Sequence, residues 1–376
     1  MPVRIVNLDN VKGNEIVGRS IYDHAGRILL AEGIRLTSWY VKKLKSMGIL
    51  SVYIDDEISK DVIIEENVSD NTRQLSKRAI NDLMKRYYKY GKVGNEGIVK
   101  SVNAIIDEIL STKEIMINIS EIRTKDDEIC SHSVNVCVLA TLIGIHLGYN
   151  MLKLKELATG AILHDIGKSR ILSDKKLVKE KNEEGDLEGY VKKMHPKVGY
   201  DFLSQQNICT AVSKVIALMH HEKIDGSGYP FGLRDNEIHE SAMLVSVCNL
   251  FDNMISGHDG FEKMPVYQVL EFLVSMGGYY FNKNIVNTFI MHIAAFPSGS
   301  GVILNTQERC LVIRQNKSFP LRPVVKVIYG RNNEKIAEPY EIDLLKELTV
   351  FIIQTCDIEN ICEDEYYDER YSFRKD

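Results

Sequence analysis

The hydrophobic positions of this chain change their period along its length. In residues 1–58 they alternate or come in short runs: Val3 and Ile5, Val17, Ile28-Leu29-Leu30, and Val52-Tyr53-Ile54, with one helical stretch from Ser38 to Met47. Gly13, Gly18, Gly26, Gly33 and Gly48 divide the region into turns, and the pattern predicts a small N-terminal α/β accessory module. From Asn71 to Tyr90 the spacing of Leu75, Ile80, Leu83, Met84 and Tyr87 is helical, with Ser69 or Asp70 as the cap and Gly91 as the stop. Residues 59–104 are therefore expected to form a helical connector.

Longer apolar-periodic runs follow, such as Ile105-Ile106-Ile109-Leu110, Val136-Leu139-Leu142-Ile143 and Val212-Val215-Ile216-Leu218, and they predict an all-helical domain over 105–296. After Pro297 the texture turns to Gly301-Val302-Ile303-Leu304, Cys310-Leu311-Val312-Ile313 and Val324-Val325-Lys326-Val327-Ile328, a small antiparallel β unit over 297–357. The run from Glu363 to Glu369 makes 358–376 an acidic, solvated tail. The fold class is mostly α: a helical bundle flanked by a small N-terminal α/β module and a small C-terminal β unit.

Composition narrows the function. At 376 residues there is room for two or three domains, and 44% hydrophobic content can fill a sizeable core. No run of about 18 uninterrupted apolar residues occurs, and Met1-Pro2-Val3-Arg4 does not lead into a signal-peptide apolar region, so a cytoplasmic protein with no membrane span is expected. The seven cysteines are dispersed and form no Cys-x-x-Cys pair, which argues for reduced packing residues rather than disulfides or a zinc ribbon. A net charge of −5 gives no basic face for a nucleic-acid polymer. Any phosphate substrate needs local positive charge, which bound divalent cations can supply.

The candidate chemistry is a series of histidines and carboxylates: Glu128 and His132, then His164-Asp165, His195, and His220-His221. Imidazole and carboxylate together suit Mn, Fe and Zn. Glu128 and His132 are four apart and share a helix face. His164 and Asp165 would enter the same cavity from a second helix end, where the carboxylate can bridge two ions through its two oxygens. His195, His220 and His221 complete enough ligands for at least two metals. Two ions about 3.5–4 Å apart can generate a bridging hydroxide near neutral pH and stabilise the attacking and leaving oxygens of a phosphodiester. Lys168, a helical turn after His164, can hold a phosphate oxygen or that hydroxide. His24, His146, His239 and His292 read as ordinary surface or core residues.

The strings His132-Ser133-Val134-Asn135-Val136, Leu163-His164-Asp165-Ile166-Gly167-Lys168 and His220-His221-Glu222-Lys223-Ile224-Asp225-Gly226-Ser227-Gly228-Tyr229-Pro230 resemble the HD-GYP family over roughly residues 105–355. Members of that family are metal-dependent phosphodiesterases that hydrolyse cyclic di-GMP. The resemblance implies cleavage to linear pGpG, and on to GMP, with Asp165 and Lys168 in the catalytic role and two or three divalent ions, Fe or Mn, as cofactors. It assigns metal ligation to Glu128, His132, His164, Asp165, His195, His220, His221 and position 249. Glu128 favours three ions, because family members with a three-metal site carry a glutamate four residues before the first histidine. The Asp225–Pro230 turn is the family's signature loop. Pinning the loop beside the tandem histidines, touching substrate through Tyr229, and presenting Gly228-Tyr229-Pro230 to a signalling protein all remain open for it. A homodimer is a further expectation.

Three positions depart from the family pattern. The final metal-binding aspartate is replaced by Asn249, which ligates through oxygen without adding charge, while Asp252 matches the motif's second aspartate and is expected to orient its neighbours. The stretch Ser256–Lys263 lacks the family's phosphate-holding arginine, leaving His258 or Lys263 to substitute without its bidentate fork. Asn282 stands in Phe281-Asn282-Lys283 where the family has Phe-Asp-Pro. These changes keep two alternatives beside the enzyme: a weakened nucleotide-binding receptor or interaction module, and a phosphohydrolase for another cyclic dinucleotide or nucleotide.

Overall fold

The structure, a computed structural model, describes residues 3–23, 27–49, 51–62, 64, 66–112, 116 and 128–358, the side chain of Glu128 excepted. The acidic run from Glu363 to Glu369 and His24 lie outside the described residues.

The first module contains β1 (Arg4–Asn7), β2 (Ile16–Val17), β3 (Ile21–Tyr22), β4 (Ile28–Leu30), α1 (Ser38–Ser46) and β5 (Ser51–Asp55). Strands β1, β5 and β2 form one antiparallel sheet and β3 pairs with β4. Period-two alternation puts Val6, Val17, Val52 and Ile54 into a small core with Leu44 of α1. The Thr37 hydroxyl caps that helix by accepting from Tyr40 N.

Eleven helices follow among the described residues: α2 (Asp70–Tyr90), α3 (Glu96–Ser111), α4 (Glu128–His146), α5 (Met151–Leu163), α6 (Ile166–Leu172), α7 (Lys175–Glu184), α8 (Leu187–Gln206), α9 (Ala211–Met219), α10 (Glu240–Ser256), α11 (Val266–Met276) and α12 (Lys283–His292). Ser69 caps α2 by accepting from Thr72 N, and Gly91 ends it at φ 71°, in the left-handed region that favours glycine. Helix α3 runs unbroken through the 104/105 boundary expected from sequence. The reason is packing: Ile98, Val102, Ile105 and Ile106 form one stripe that enters the same core as α4, α5 and α10.

Helix α4 sits in the middle of that core. From Ser131 to Gly144 every residue is buried, polar ones included, so the helix has no solvent face and no amphipathic stripe. Residues 129–146 are long and apolar enough to cross a membrane, but 78% of the stretch is buried against the other helices. Phe251 of α10 and Phe289 of α12 lock the far side with an edge-to-face contact at 4.9 Å between ring centres. Burying each ring stabilises the fold by roughly 1.5–3 kcal/mol.

Strands β6 (Gly301–Leu304), β7 (Arg309–Arg314), β8 (Val324–Tyr329), β9 (Glu341–Asp343) and β10 (Ile352–Cys356) form one antiparallel sheet in the order β10-β6-β7-β8-β9. One face of the sheet joins the helical core through Val302, Leu304, Cys310 and Val312. The other face makes a separate cluster in which Leu311, Ile313 and Ile328 pack with Val62. Ile5 N donates to Gly299 O at 3.2 Å, so the N-terminal module abuts the C-terminal unit. The six described cysteines are free thiols, and Cys137, Cys248 and Cys310 are buried.

Candidate metal centre

The site forms where six helices present their ends or their interior turns to one another. His132 lies on the first turns of α4; His164 and Asp165 occupy the corner between α5 and α6; His195 is inside α8; His220 and His221 follow the end of α9; Asn249 lies within α10. The close approach of α6 and α8 depends on Gly167. A Cβ there would fall 2.0 Å from the His195 carbonyl oxygen, so a larger residue would drive Asp165 and His195 apart.

Two groups of ligand atoms result, each with all its atoms within 4.8 Å of one another: Asp165 with His195, His220 and His221, and Asp165 with His132 and His164. The carboxylate divides its oxygens between them. Oδ1 is 3.2 Å from His195 Nε2 and 3.6 Å from His220 Nε2, whereas Oδ2 is 3.4 Å from His164 Nε2 and 3.6 Å from His132 Nε2.

The imidazole tautomers follow from what each Nδ1 touches. His164 Nδ1 donates to Ala161 O at 2.7 Å, His195 Nδ1 to Val191 O at 3.0 Å and His220 Nδ1 to Ala217 O at 2.9 Å. His132 Nδ1 donates to Asp252 Oδ2 at 2.7 Å. With those protons committed, every corresponding Nε2 carries a lone pair directed inward. These lone pairs meet: His164 and His132 approach at 3.2 Å through Nε2, and so do His195 and His220. Asp165 Oδ1 is buried and receives no hydrogen bond. Converging lone pairs and an unsatisfied carboxylate oxygen repel unless a cation lies among them, so the donor set fits divalent metal ions.

Electrostatics point the same way. Burial pushes His220 down to about 3 and holds His132 and His221 below the ordinary imidazole range, keeping neutral the rings that must offer lone pairs. For Asp165, burial favours the neutral acid, but Lys168 and then His164 and His195 outweigh it and hold the carboxyl well below its usual range.

Asn249 is buried, its Oδ1 2.9 Å from His132 Nε2, and Asn253 Nδ2 donates to the same oxygen at 3.1 Å. The amide oxygen thus faces the second group with its nitrogen turned away. Asp252, fully buried, also accepts from Asn135 Nδ2 at 3.2 Å, which fixes the carboxylate that orients His132. The side chain of Glu128, expected as a ligand, lies outside the described residues.

Lys168 Nζ is 2.9 Å from Asp165 Oδ2 and 3.2 Å from Asp259 Oδ2. Burial opposes its charge, yet the Asp165 and Asp259 carboxylates outweigh burial and raise its pKa. The sequence points to His258 and Lys263 in this loop. Asp259, held at φ 55° between them, is the residue that reaches Lys168, while Lys263 is exposed. The Asp259-Gly260 dipeptide, a common turn pair, is the signal for it in the sequence.

The signature loop folds inward. Tyr229 stacks on His221 at 4.5 Å between ring centres and 16° between planes, and its hydroxyl is buried without a hydrogen-bond partner. Burial, then the Asp259 and Asp165 charges, push that phenol up. Glu222, buried, pins the loop by accepting from Phe231 N at 2.7 Å and Leu233 N at 3.0 Å. A Cβ on Gly228 would lie 2.4 Å from Lys223 N, so this crossing requires glycine. Outside the centre, His146 stacks on His292 at 3.5 Å between ring centres, and His239 caps α10 by accepting from Ser241 N.

Comparison with known proteins places these features in a group. Residues 129–254 match the HD domain family, and residues 301–363 match the KOW domain associated with HD domain. A cyclic di-GMP phosphodiesterase of Thermotoga maritima is 30% identical over 293 residues, covering 76% of this chain and 76% of that protein. A cyclic di-GMP phosphodiesterase of Pseudomonas aeruginosa is 25% identical over 241 residues, covering 64% of this chain but only 57% of that protein. A cyclic di-GMP phosphodiesterase response regulator of Xanthomonas campestris pv. campestris is 34% identical over 153 residues, covering 40% of each chain. This chain thus spans little more than half of the second relative and less than half of the third.

Proposed function

Because this chain belongs to the HD-GYP family, we propose that it is a metal-dependent phosphodiesterase that hydrolyses cyclic di-GMP to linear pGpG and on to GMP. The observation that carries this reading is Asp165: one buried carboxylate whose two oxygens face two separate groups of inward-directed imidazole nitrogens. That arrangement suits two divalent ions, Fe or Mn, one held by His195, His220, His221 and Asp165, the other by His132, His164, Asp165 and the Asn249 amide oxygen. A third ion depends on Glu128. When bound, the ions supply Lewis acidity, an acidified water and positive charge against the phosphate.

The chain's own residues do the rest. The backbone carbonyls of Ala161, Val191 and Ala217 and the Asp252 carboxylate hold the rings at fixed tautomers. Lys168, charged and next to Asp165, positions a non-bridging phosphate oxygen once substrate competes with Asp259 for its ammonium. Tyr229 excludes water from one side of His221 and offers its unpartnered hydroxyl to the substrate. Lys263, exposed on the same loop as Asp259, meets the outer phosphate, with His258 beside it.

The test is metal analysis of the purified full chain together with chromatography of products from cyclic di-GMP, with and without chelator. Metal at two or more equivalents and metal-dependent pGpG formation are expected. Stoichiometric metal with no product from any cyclic dinucleotide would overturn the enzymatic reading.

A further inference from the structure

Beside the metal centre lies a cavity of about 480 Å³, bounded by α6, the end of α7, the first turns of α8 and Asp259 of the loop after α10. Its inner end is Lys168, which contacts Asp165, so the cavity opens onto the place where a phosphodiester would be cleaved. Its volume lies within the usual span of small-molecule sites, about 300–1,000 Å³. The walls are apolar, with Leu172 contributed by α6 and Leu187 and Val191 by α8, which suits the flat faces of a base.

The polar groups are distributed unequally. Asp259 is committed to Lys168. Glu188, which also lines the cavity, makes no ion pair or hydrogen bond among the described residues, and Asn182 of α7 and Lys192 of α8 contribute an amide and an ammonium to the same cavity. A carboxylate offers acceptors only. The Watson–Crick edge of guanine presents two adjacent donors, N1–H and N2–H, which a carboxylate meets in parallel. Adenine presents one donor next to the N1 lone pair, which a carboxylate repels.

Resting on the phosphodiesterase reading, we propose that this cavity is a base subsite for the cyclic dinucleotide and that Glu188 selects guanine over adenine there. Asn182 faces the remaining O6 and N7 acceptors. The selectivity is therefore set on the first turn of α8, two turns ahead of the His195 metal ligand.

The test compares the full-length protein with Glu188→Gln, an exposed position where the substitution preserves size and the helix. Binding of cyclic di-GMP and cyclic di-AMP is measured by calorimetry in chelator, and kcat/KM for both is measured with metal. A glutamine offers one acceptor and one donor, the complement of adenine. The substitution should weaken cyclic di-GMP binding about tenfold, as loss of a bidentate base contact does, while cyclic di-AMP binding holds or improves. The same shift should appear in KM more than in kcat. Equal effects on the two ligands, no effect on either, or a wild-type protein indifferent to the base would each overturn the assignment. A base preference that shifts as expected in a protein releasing no product would support the subsite and sink only the enzymatic reading.

Discussion

The two halves of the metal centre share Asp165 and little else. The group with His195, His220 and His221 has three imidazoles and a carboxylate, and two of its rings are fixed by backbone carbonyls. In the group with His132 and His164 the neutral Asn249 amide oxygen approaches His132, and that ring is held by a buried side chain, Asp252. The difference is one of charge and anchoring. A helix carbonyl cannot be mutated away and carries no net charge, whereas Asp252 adds a negative charge one bond network behind a ligand. The half with a neutral amide at position 249 thus keeps an anion behind His132. The two halves should differ in affinity, with the three-imidazole half the tighter.

The largest effect is expected from removing what the halves have in common. Asp165→Ala should strip both ions and abolish metal-dependent turnover, with metal content and product formation as the readouts. Retention of one full equivalent would show that the halves are independent. Asp252→Asn should act on one half alone, lowering its metal affinity about 10–100-fold by releasing His132 from its orientation, while the other half titrates unchanged. Asn249→Asp is the opposite perturbation and should tighten the weaker half by about tenfold at matched free metal, narrowing the gap between the two binding steps. Unchanged affinity would remove Asn249 from the shell.

A smaller effect concerns pH in metal-free protein. His132, His220 and His221 have folded pKa values below that of an unfolded imidazole, so as pH falls below about 6.5 the unfolded chain takes up protons that the folded chain refuses. Stability should therefore drop on acidification below that point and level off above it. Denaturant midpoints from pH 7.5 to 5.5 measure it, and His132→Phe should flatten the slope. The smallest effect is His146→Ala. That ring is exposed and stacks on His292 away from the centre, so activity and metal content should hold and stability should change within roughly 0.5 kcal/mol.

Much of this was legible in the chain. His164-Asp165 and His220-His221 announce themselves by adjacency, and the apolar stripes of α2 and α3 give their helices by period alone. Gly91 and Ser69 mark ends because their roles need only local geometry. What escaped were contacts made by tertiary folding. Asp259 is 91 positions from Lys168, and only the turn at its left-handed backbone brings the two together. The Nδ1 anchors of His164, His195 and His220 are main-chain carbonyls, which have no residue signature at all. Asn282, which stands where the family pattern has aspartate, caps α12 by accepting from Asn284 N and Ile285 N, a task asparagine performs as well as aspartate.

The abutment of the first module on the last sheet has a consequence for biosynthesis. Asn10 hydrogen-bonds Asp357 across 347 positions, Lys326 reaches Asp61 across 265, and Val62 packs in one cluster with Leu311 and Ile313 of β7, Val324 and Ile328 of β8, and Ile358. A ribosome delivers the two sides of this contact at opposite ends of elongation. The nascent chain must therefore carry Val62 without these strand partners while the whole helical core is made, a long-range closure of the kind that forms slowly. Chaperones that bind apolar segments have their longest opportunity at that early surface, and a nascent chain stalled before β7 leaves it without its strand partners.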